Sequence, residues 1–209
     1  MSLDARRTRS RPNLSRARIL TEAARIFNRL GYYGATLDDV ARALGATKAA
    51  LYYYVANKEE LLFQCCRVPI EIGLEGIRRA QEQAEAPDEQ LRLALVSYID
   101  GMTDQLRGSV VLLEEGALSP EHYREVKAGR DEYERQLRGI IARGIAQEVF
   151  VPCDARLVGF ALFGAMNWIP TWYDPAGRRS GREVAETFAA YLVRGLRAAP
   201  APARHGEAP

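Results

Sequence analysis

Apolar residues in this chain recur three and four positions apart over most of its length. No stretch sustains the alternation of apolar and polar residues that is typical of a half-buried strand. In the first periodic segment, Ile19, Ala23, Ile26 and Leu30 fall on one face of a helix. Glycine and proline stand mainly between such segments. The pattern predicts an all-α protein built from amphipathic helices.

Capping signals divide the N-terminal quarter into short helices. Thr36, with Asp39 three residues later, has the form of a capping box. Thr47 and Asn57 each stand where a cap would start a further helix, and Gly45 occupies the position favoured after a helix end. The predicted helices cover residues 15–30, 36–44, 47–55, 57–84, 87–106, 120–147, 154–173 and 181–196.

Composition limits the class of protein. With 209 residues, 47% of them hydrophobic and 27% charged, the chain can bury a core. It has no run of about 18 apolar residues, and its basic N-terminus lacks the apolar segment of a signal peptide. The cysteines Cys65, Cys66 and Cys153 form neither a disulfide framework nor a CxxC motif. We expect a cytoplasmic protein without a metal or other cofactor.

The small net charge of +2 hides an uneven distribution along the chain. Residues 1–60 contain eleven Lys and Arg against six Asp and Glu, whereas the rest contains eighteen against twenty-one. An excess of positive charge at one end is expected where that end meets a polyanion such as nucleic acid.

The segment GATKAALYYYVANKEELL, residues 45–62, follows the second predicted helix after a turn of about four residues. Two short helices joined in this way are typical of a helix-turn-helix. Leu51 and Val55 are four residues apart, so both are expected to face the core, which leaves Lys48 and Tyr52 on the outward face. Such a surface fits a major groove, because small alanines allow close approach and Tyr52 offers a ring to a thymine methyl.

Around this helix, side chains with hydroxyl or amino groups are expected to bind phosphates. We interpret the three tyrosines as having different tasks: Tyr52 reads bases, Tyr53 packs, and Tyr54 anchors the backbone of the DNA. The predicted DNA contacts are Thr36, Thr47, Lys48, Ala49, Ala50, Tyr52, Tyr54 and Lys58.

Residues 15–62 resemble the DNA-binding domain of the TetR family of transcriptional repressors. The resemblance is carried by the Gly-Tyr-x-Gly-Ala-Thr run, the Gly-x-Thr-Lys turn, Leu-Tyr-x-x-Val and Asn-Lys-Glu-Glu-Leu. Tyr54 departs from the family, which often has His or another polar ring there. The resemblance implies a helix-turn-helix domain over 15–62 and a helical ligand-binding and dimerisation domain over 63–197. By composition we expect a basic disordered arm over 1–14 and a Pro/Ala-rich disordered tail over 198–209.

The resemblance also implies a homodimer that pairs through its last two helices and binds an inverted-repeat operator. The sequence supports this pairing, because the helix over 154–173 has small residues that permit close helix approach and the last helix is apolar over a wide arc. A large monomer core would explain the same pattern. The residues expected at the interface are Gly164, Trp172, Val184, Phe188, Tyr191 and Leu192.

Residues 163–197 resemble family members that control the breakdown of fatty acids, aromatic acids or steroids and respond to acyl-CoA thioesters. Such an effector needs an apolar tunnel that opens beside cations. The expected ligand-binding residues are Met102, Leu106, Arg107, Leu112, Leu113, Phe163, Met166 and Trp168. Further cations are expected from Arg178, Arg179 or Arg182. The alternative is a repressor of an efflux or catabolic operon that senses an apolar drug or a small aromatic compound.

Two other classes of protein compete with a DNA-binding regulator. An enzyme is disfavoured because the two histidines, His122 and His205, belong to no catalytic motif, and no phosphate-binding loop is present. His122 is expected to be partly exposed at the start of a helix. A helical adaptor would need neither the charge asymmetry nor the small cationic third helix. We therefore expect a regulator that is not an enzyme and does not contact a membrane.

Overall fold

The computed structural model describes residues 14–104 and 116–198. These residues form no strand, and an isolated antiparallel bridge joins Phe150 to Arg197. None of the described helices has a stretch long and apolar enough to cross a membrane. The helices are α1 (Arg16–Gly34), α2 (Leu37–Leu44), α3 (Lys48–Leu51), α4 (Lys58–Gln83), α5 (Pro87–Asp104), α6 (Pro120–Ala146), α7 (Ala155–Trp172) and α8 (Gly181–Arg194).

The helix ends follow the caps expected from the sequence, with two corrections. The predicted first helix stops at Leu30. In the structure the helix is interrupted at Gly31, whose φ is 69°, and a further helical turn follows to Gly34. The predicted third helix runs to Val55, whereas α3 ends at Leu51 because the following residues form a turn. In that turn the N–H groups of Tyr54 and Val55 both donate to the Leu51 carbonyl.

The N-terminal head, defined as α1 to α3, is held together by a core of apolar residues on the inner faces of its three helices. Ile19 and Phe27 of α1, Val40 of α2, and Leu51 and Val55 around α3 are all buried. This cluster continues into the first half of α4 through Cys65, Cys66 and Ile70, so the boundary predicted between residues 62 and 63 crosses one continuous core. The predicted arm and tail lie outside the described residues, apart from Leu14 and Ala198.

The helices α4 and α6 lie side by side and run in the same direction. Gly73 of α4 packs against the Tyr133 ring, and Gly129 of α6 packs against Ile70. The contact between Gly73 and Tyr133 lies further along both helices than the contact between Ile70 and Gly129. The two helices are therefore parallel. The helix α4 continues through Pro69 and therefore extends from the head into a second core.

The second core is formed by α5, the later turns of α4 and α6, and one face each of α7 and α8. Leu95 and Ile99 of α5, Leu137 of α6, and Ala185 and Ala189 of α8 are buried there. The helix α8 begins with a capping box between Ser180 and Glu183. One side of α7 is apolar and exposed, as is Tyr191 near the end of α8.

Candidate nucleic-acid interface and ligand groove

The helix α3 has an exposed side, and buried residues on its other side fix its position in the head. Leu51 and Val55 are buried in the head, while Thr47, Lys48 and Ala49 are exposed. The Thr47 hydroxyl accepts a hydrogen bond from the N–H of Ala50, which fixes the start of α3. The structure therefore places the predicted contact residues 47–50 together at one edge of the head, with Ala50 partly buried.

The three tyrosines are exposed to different extents. Tyr52 is 51% exposed, Tyr53 is 89% exposed and Tyr54 is 38% exposed. The interpretation of Tyr53 as a packing residue is wrong, because the turn after α3 directs its ring outward. Tyr54 is the tyrosine held by the protein, since its hydroxyl donates to the Leu14 carbonyl at 2.8 Å. The sequence prediction did not include Tyr53 as an exposed residue because it continued α3 to Val55. In a helix of that length the side chain of Tyr53 would point in a different direction from the one that it takes in the turn.

Lys48 is already paired within the head. Its Nζ lies 2.9 Å from Oδ2 of Asp38 on α2, and this hydrogen bond raises the pKa of Lys48. Both side chains are about half exposed, so water screens the attraction and the pair is cheap to break. Lys48 is therefore free to exchange Asp38 for a base or a phosphate.

Lys58, predicted as a phosphate contact, has a structural task. Its Nζ donates to the carbonyl oxygens of Tyr32 and Ala35, both at 3.0 Å, and lies 4.4 Å from the centroid of the Tyr32 ring. These carbonyls belong to the end of α1, so Lys58 ties the start of α4 to the α1–α2 junction. With two of its three donors used inside the protein, Lys58 supports the interface from behind.

Thr36 caps α2 through a reciprocal pair of hydrogen bonds. Its hydroxyl accepts from the N–H of Asp39, and Oδ2 of Asp39 accepts from both the N–H and the hydroxyl of Thr36. The Thr36 hydroxyl leads the causes that lower the pKa of Asp39, ahead of burial, which acts in the opposite direction. The carboxylate of Asp39 thus occupies the start of α2, where the sequence predicted phosphate binding.

An apolar surface covers one side of α7. It consists of residues spaced three and four apart, which places them on one face of the helix. Trp168, near its centre, is 66% exposed. We call this surface the α7 face, and its members are Leu157, Phe160, Gly164, Trp168 and Trp172.

The predicted interface residues fall partly on this side of the molecule. Gly164 and Trp172 belong to the α7 face, Phe188 stacks on Trp172 with ring centroids 5.8 Å apart, and Tyr191 is well exposed. Leu192 is half-buried. Val184 requires a correction: it is buried in the second core, because it lies on the inner side of α8 next to Ala185, and it is not available to a partner.

A groove of about 580 Å³ lies between α4 and α5 and reaches the start of α8. Close helix crossings bound it, because a Cβ at Gly76 or Gly101 would clash with Ser97 or Ile72. Its apolar wall is formed by Val68, Ile72, Leu93 and Val96. Its charged rim is formed by Glu71, Glu75, Arg79, Asp100, Asp104 and Arg182.

The predicted tunnel residues that the structure describes do not line this groove. Met102 and Met166 are buried in the second core, Phe163 packs edge-on against Tyr133, and Trp168 lies on the α7 face. Of the predicted cations, Arg182 reaches the groove. Among the described residues, no cluster of His, Cys, Asp and Glu is arranged to hold a metal ion. Four predicted ligand-binding residues lie outside the described residues: Leu106, Arg107, Leu112 and Leu113.

A short exposed helix on a capped three-helix head, joined by a long helix to a second helical part, defines a helix-turn-helix DNA-binding regulator. The chain belongs to the TetR family. Residues 19–65 match the family of bacterial regulatory proteins named after TetR, and residues 84–196 match the tetracyclin repressor-like C-terminal domain. Proteins of this family are transcriptional regulators that bind operator DNA as dimers, and this protein is a regulator, not an enzyme.

Several solved structures and curated proteins are similar to this chain. PfmR of Thermus thermophilus is 32% identical, with 90% of this chain and all of that chain covered and a TM-score of 0.72. AibR in complex with isovaleryl coenzyme A and operator DNA is 29% identical, with 88% and 98% covered and a TM-score of 0.69. The repressor KstR2 of Mycobacterium tuberculosis is 22% identical over 88% of this chain and 94% of its own length. The regulator YfiR of Bacillus subtilis is 32% identical, but the match spans 48% of this chain and 46% of that protein.

Proposed function

We propose that this protein is a cytoplasmic, ligand-responsive repressor that binds an inverted-repeat operator as a homodimer and releases it when a small effector binds. The observation that carries the proposal is the exposed surface of α3 and the following turn, where Lys48, Tyr52 and Tyr53 stand outward above the buried Leu51 and Val55. Large rings and a cation on a rigid support fit the base edges and sugars of a major groove.

Within this interface the residues have two kinds of role. Thr47, Lys48, Ala49, Tyr52 and Tyr53 face outward and would touch DNA. The other predicted DNA contacts interact with the rest of the head and would hold this surface in position: Thr36, Ala50, Tyr54 and Lys58. The Thr36 hydroxyl both donates to and accepts from Asp39, Tyr54 and Lys58 donate to backbone carbonyls, and Ala50 is partly buried.

The α7 face supports the dimer. Its exposed rings, together with Phe188 and Tyr191 on α8, form an apolar surface that a second copy of the chain would cover. A two-fold pair of heads then matches an inverted-repeat site with half-sites about one helical turn or somewhat more apart. Gly164 lies on this face with nothing within 4 Å of a Cβ placed on it, so a neighbouring helix can approach closely.

An acyl-CoA thioester is the effector that we propose first. The support comes from the likeness to AibR, whose solved complex contains isovaleryl coenzyme A and operator DNA. In this chain the groove between α4 and α5 offers an apolar wall for an acyl group and the guanidinium groups of Arg79 and Arg182 for phosphates. Both guanidinium groups now pair with carboxylates, Arg79 with Glu75 and Arg182 with Glu186.

The charge of the groove favours a second effector class. Among the described residues, four carboxylates and two guanidinium groups line the rim, a balance that opposes a ligand with several phosphates and favours an apolar cation. This chemistry fits the alternative of a drug-sensing repressor of an efflux operon. Replacing Asp100 by Asn would weaken binding of such a cation, whereas Arg182→Gln would weaken binding of a thioester.

The experiment starts by selecting an operator from a random duplex library with the full-length protein. The protein–operator complex is then titrated with isovaleryl-CoA, isovalerate, free CoA or tetraphenylphosphonium while fluorescence anisotropy reports release. Release by the thioester alone supports the first effector class, and release by the phosphonium alone supports the second. Failure of the parent protein to select any duplex would contradict the proposed operator binding itself.

A further inference from the structure

The start of α6 contacts the start of α4 through His122. Its Nδ1 lies 2.8 Å from Oε1 and 3.0 Å from Oε2 of Glu59, in the first turn of α4. Because a carboxylate only accepts, Nδ1 carries the proton that is donated. Glu59 Oε1 also accepts from the N–H of Ser119, the residue that caps α6, at 2.9 Å. One carboxylate of α4 thus holds both the cap and the first turn of α6.

The imidazole is also oriented by an aromatic contact. The rings of His122 and Phe63 are stacked, with centroids 3.8 Å apart and planes 6° from parallel. Phe63 lies one helical turn after Glu59 and is buried in the cluster that the head shares with α4. The side chains of His122 and Glu59 are each about three-quarters buried, so water screens their contact less than it screens a surface ion pair.

Glu59 directly follows Lys58, whose ammonium group holds the carbonyls at the end of α1. A single turn of α4 is therefore attached on one side to the head and on the other to α6. A shift of α6 that moves Ser119 and His122 has to pull Glu59 with it or break both hydrogen bonds. The same shift changes the position of Lys58, and with it the α1–α2 junction behind α3.

From this geometry we propose that His122 and Glu59 are a positioning pair, which sets the orientation of the N-terminal head on α4 and so the operator affinity of the dimer. Neither residue belongs to the exposed surface of α3 or lines the groove between α4 and α5. The inference rests on operator binding by the head, and it adds the residues through which the start of α6 acts on that head.

Variants of His122 separate the hydrogen bond from the ring contact. His122→Phe keeps a ring against Phe63 and removes the donor, whereas His122→Asn keeps an amide N–H near the position of Nδ1 and removes the ring. Glu59→Gln keeps an acceptor for Ser119 but removes the charge. The matched control on the same helix is Glu125→Gln, which breaks the more exposed contact between Glu125 and Arg67.

Two measurements on the full-length protein test the pair. In hydrogen–deuterium exchange without DNA, His122→Phe is expected to speed exchange in residues 31–58 as well as near residue 119, while α7 and α8 stay unchanged. On the selected operator, His122→Phe and Glu59→Gln are each expected to weaken binding about tenfold, the scale of one lost hydrogen bond to a charged group. His122→Asn and Glu125→Gln are expected to stay within about twofold of the parent, because they retain that bond.

The proposal is overturned if His122→Phe binds the operator like the parent, or if its faster exchange stops at residues 57–60 and 116–124. It is equally overturned if His122→Asn loses as much affinity as His122→Phe, since keeping an N–H donor to Glu59 would then not preserve the position of the head. If the parent protein selects no operator, the proposed function is contradicted. The exchange measurement still tests the pair on its own, because it is made without DNA.

Discussion

The ammonium group of Lys58 lies 4.4 Å from the centroid of the Tyr32 ring and donates to the Tyr32 carbonyl at 3.0 Å. The start of α4 is thereby attached to the end of α1. The attachment explains how a head with a third helix of only four residues keeps a defined orientation on α4, because one side chain joins the start of α4 to the α1–α2 junction.

We expect Lys58→Met to destabilise the fold. The carbonyls of Tyr32 and Ala35 lose a charged donor, so the free energy of unfolding should fall by about 1–3 kcal/mol in urea titrations followed by circular dichroism. The matched control is Lys48→Met, which removes an exposed pair with Asp38 and should leave the unfolding midpoint unchanged. A phosphate contact predicts the reverse for Lys58: normal stability, and a salt dependence of operator binding reduced by about one counterion.

Tyr53→Ala is expected to weaken operator binding about tenfold, the scale of one lost contact to a base edge. Its ring is 89% exposed, so its loss costs little packing and the unfolding midpoint should remain that of the parent. Anisotropy titrations with the selected operator check the affinity. Equal affinity of variant and parent would show that the ring stands clear of the DNA.

Tyr54→Phe should act on stability. The substitution removes the hydroxyl that donates to the Leu14 carbonyl and keeps the ring. We expect the free energy of unfolding to fall by about 1 kcal/mol, the usual net value of one hydrogen bond. If the variant unfolds like the parent but binds operator more weakly, the hydroxyl serves the DNA and not the attachment to α1.

Substitutions on the α7 face should separate the two chains. Trp168→Arg and Gly164→Arg place a charge on the exposed apolar surface, and sedimentation velocity at micromolar concentration should show folded monomers. Gln81→Arg, on an exposed side of α4, is the control and should leave the dimer intact. Val184→Arg should instead unfold the chain, because Val184 is buried in the second core. A parent protein that sediments as a monomer would contradict the proposed interface.

Acid should loosen the cap of α2. The Thr36 hydroxyl leads the interactions that hold the pKa of Asp39 below its ordinary value of 3.8. A carboxylate whose folded pKa is lowered contributes stability above its unfolded pKa, and this contribution is lost as pH falls through the folded pKa. Nuclear magnetic resonance should give a titration midpoint for Asp39 below 3.8, and Asp39→Asn should make the loss of stability in acid shallower. A midpoint at or above that value would contradict the capping box.

The features that the sequence predicts correctly are local. The caps at Thr36, Thr47 and Asn57 form as expected, because each needs only a side chain and a backbone N–H two or three residues away. The burial of Leu51 and Val55 follows from helical spacing within one turn. Family membership follows from the same short segment, in which the residue types and their spacing are specific.

The features that the sequence does not predict depend on contacts between distant residues. Tyr53 turns outward because α3 ends early, and Val184 turns inward because α5 lies against that side of α8. Lys58 and His122 receive their tasks from residues 23 to 63 positions away in the chain. Periodicity shows that a helix has an apolar side, but not which neighbour covers it.

The most direct test of the account is an anisotropy titration of the selected inverted repeat, a single half-site and a scrambled duplex with the full-length protein. We expect saturation of the inverted repeat at two or four chains per duplex and much weaker binding to the half-site and the scrambled duplex. Affinity should fall steeply as salt rises, because phosphate contacts release counterions. Equal affinity for the three duplexes, or saturation by one chain, would contradict a dimeric regulator that reads DNA through α3.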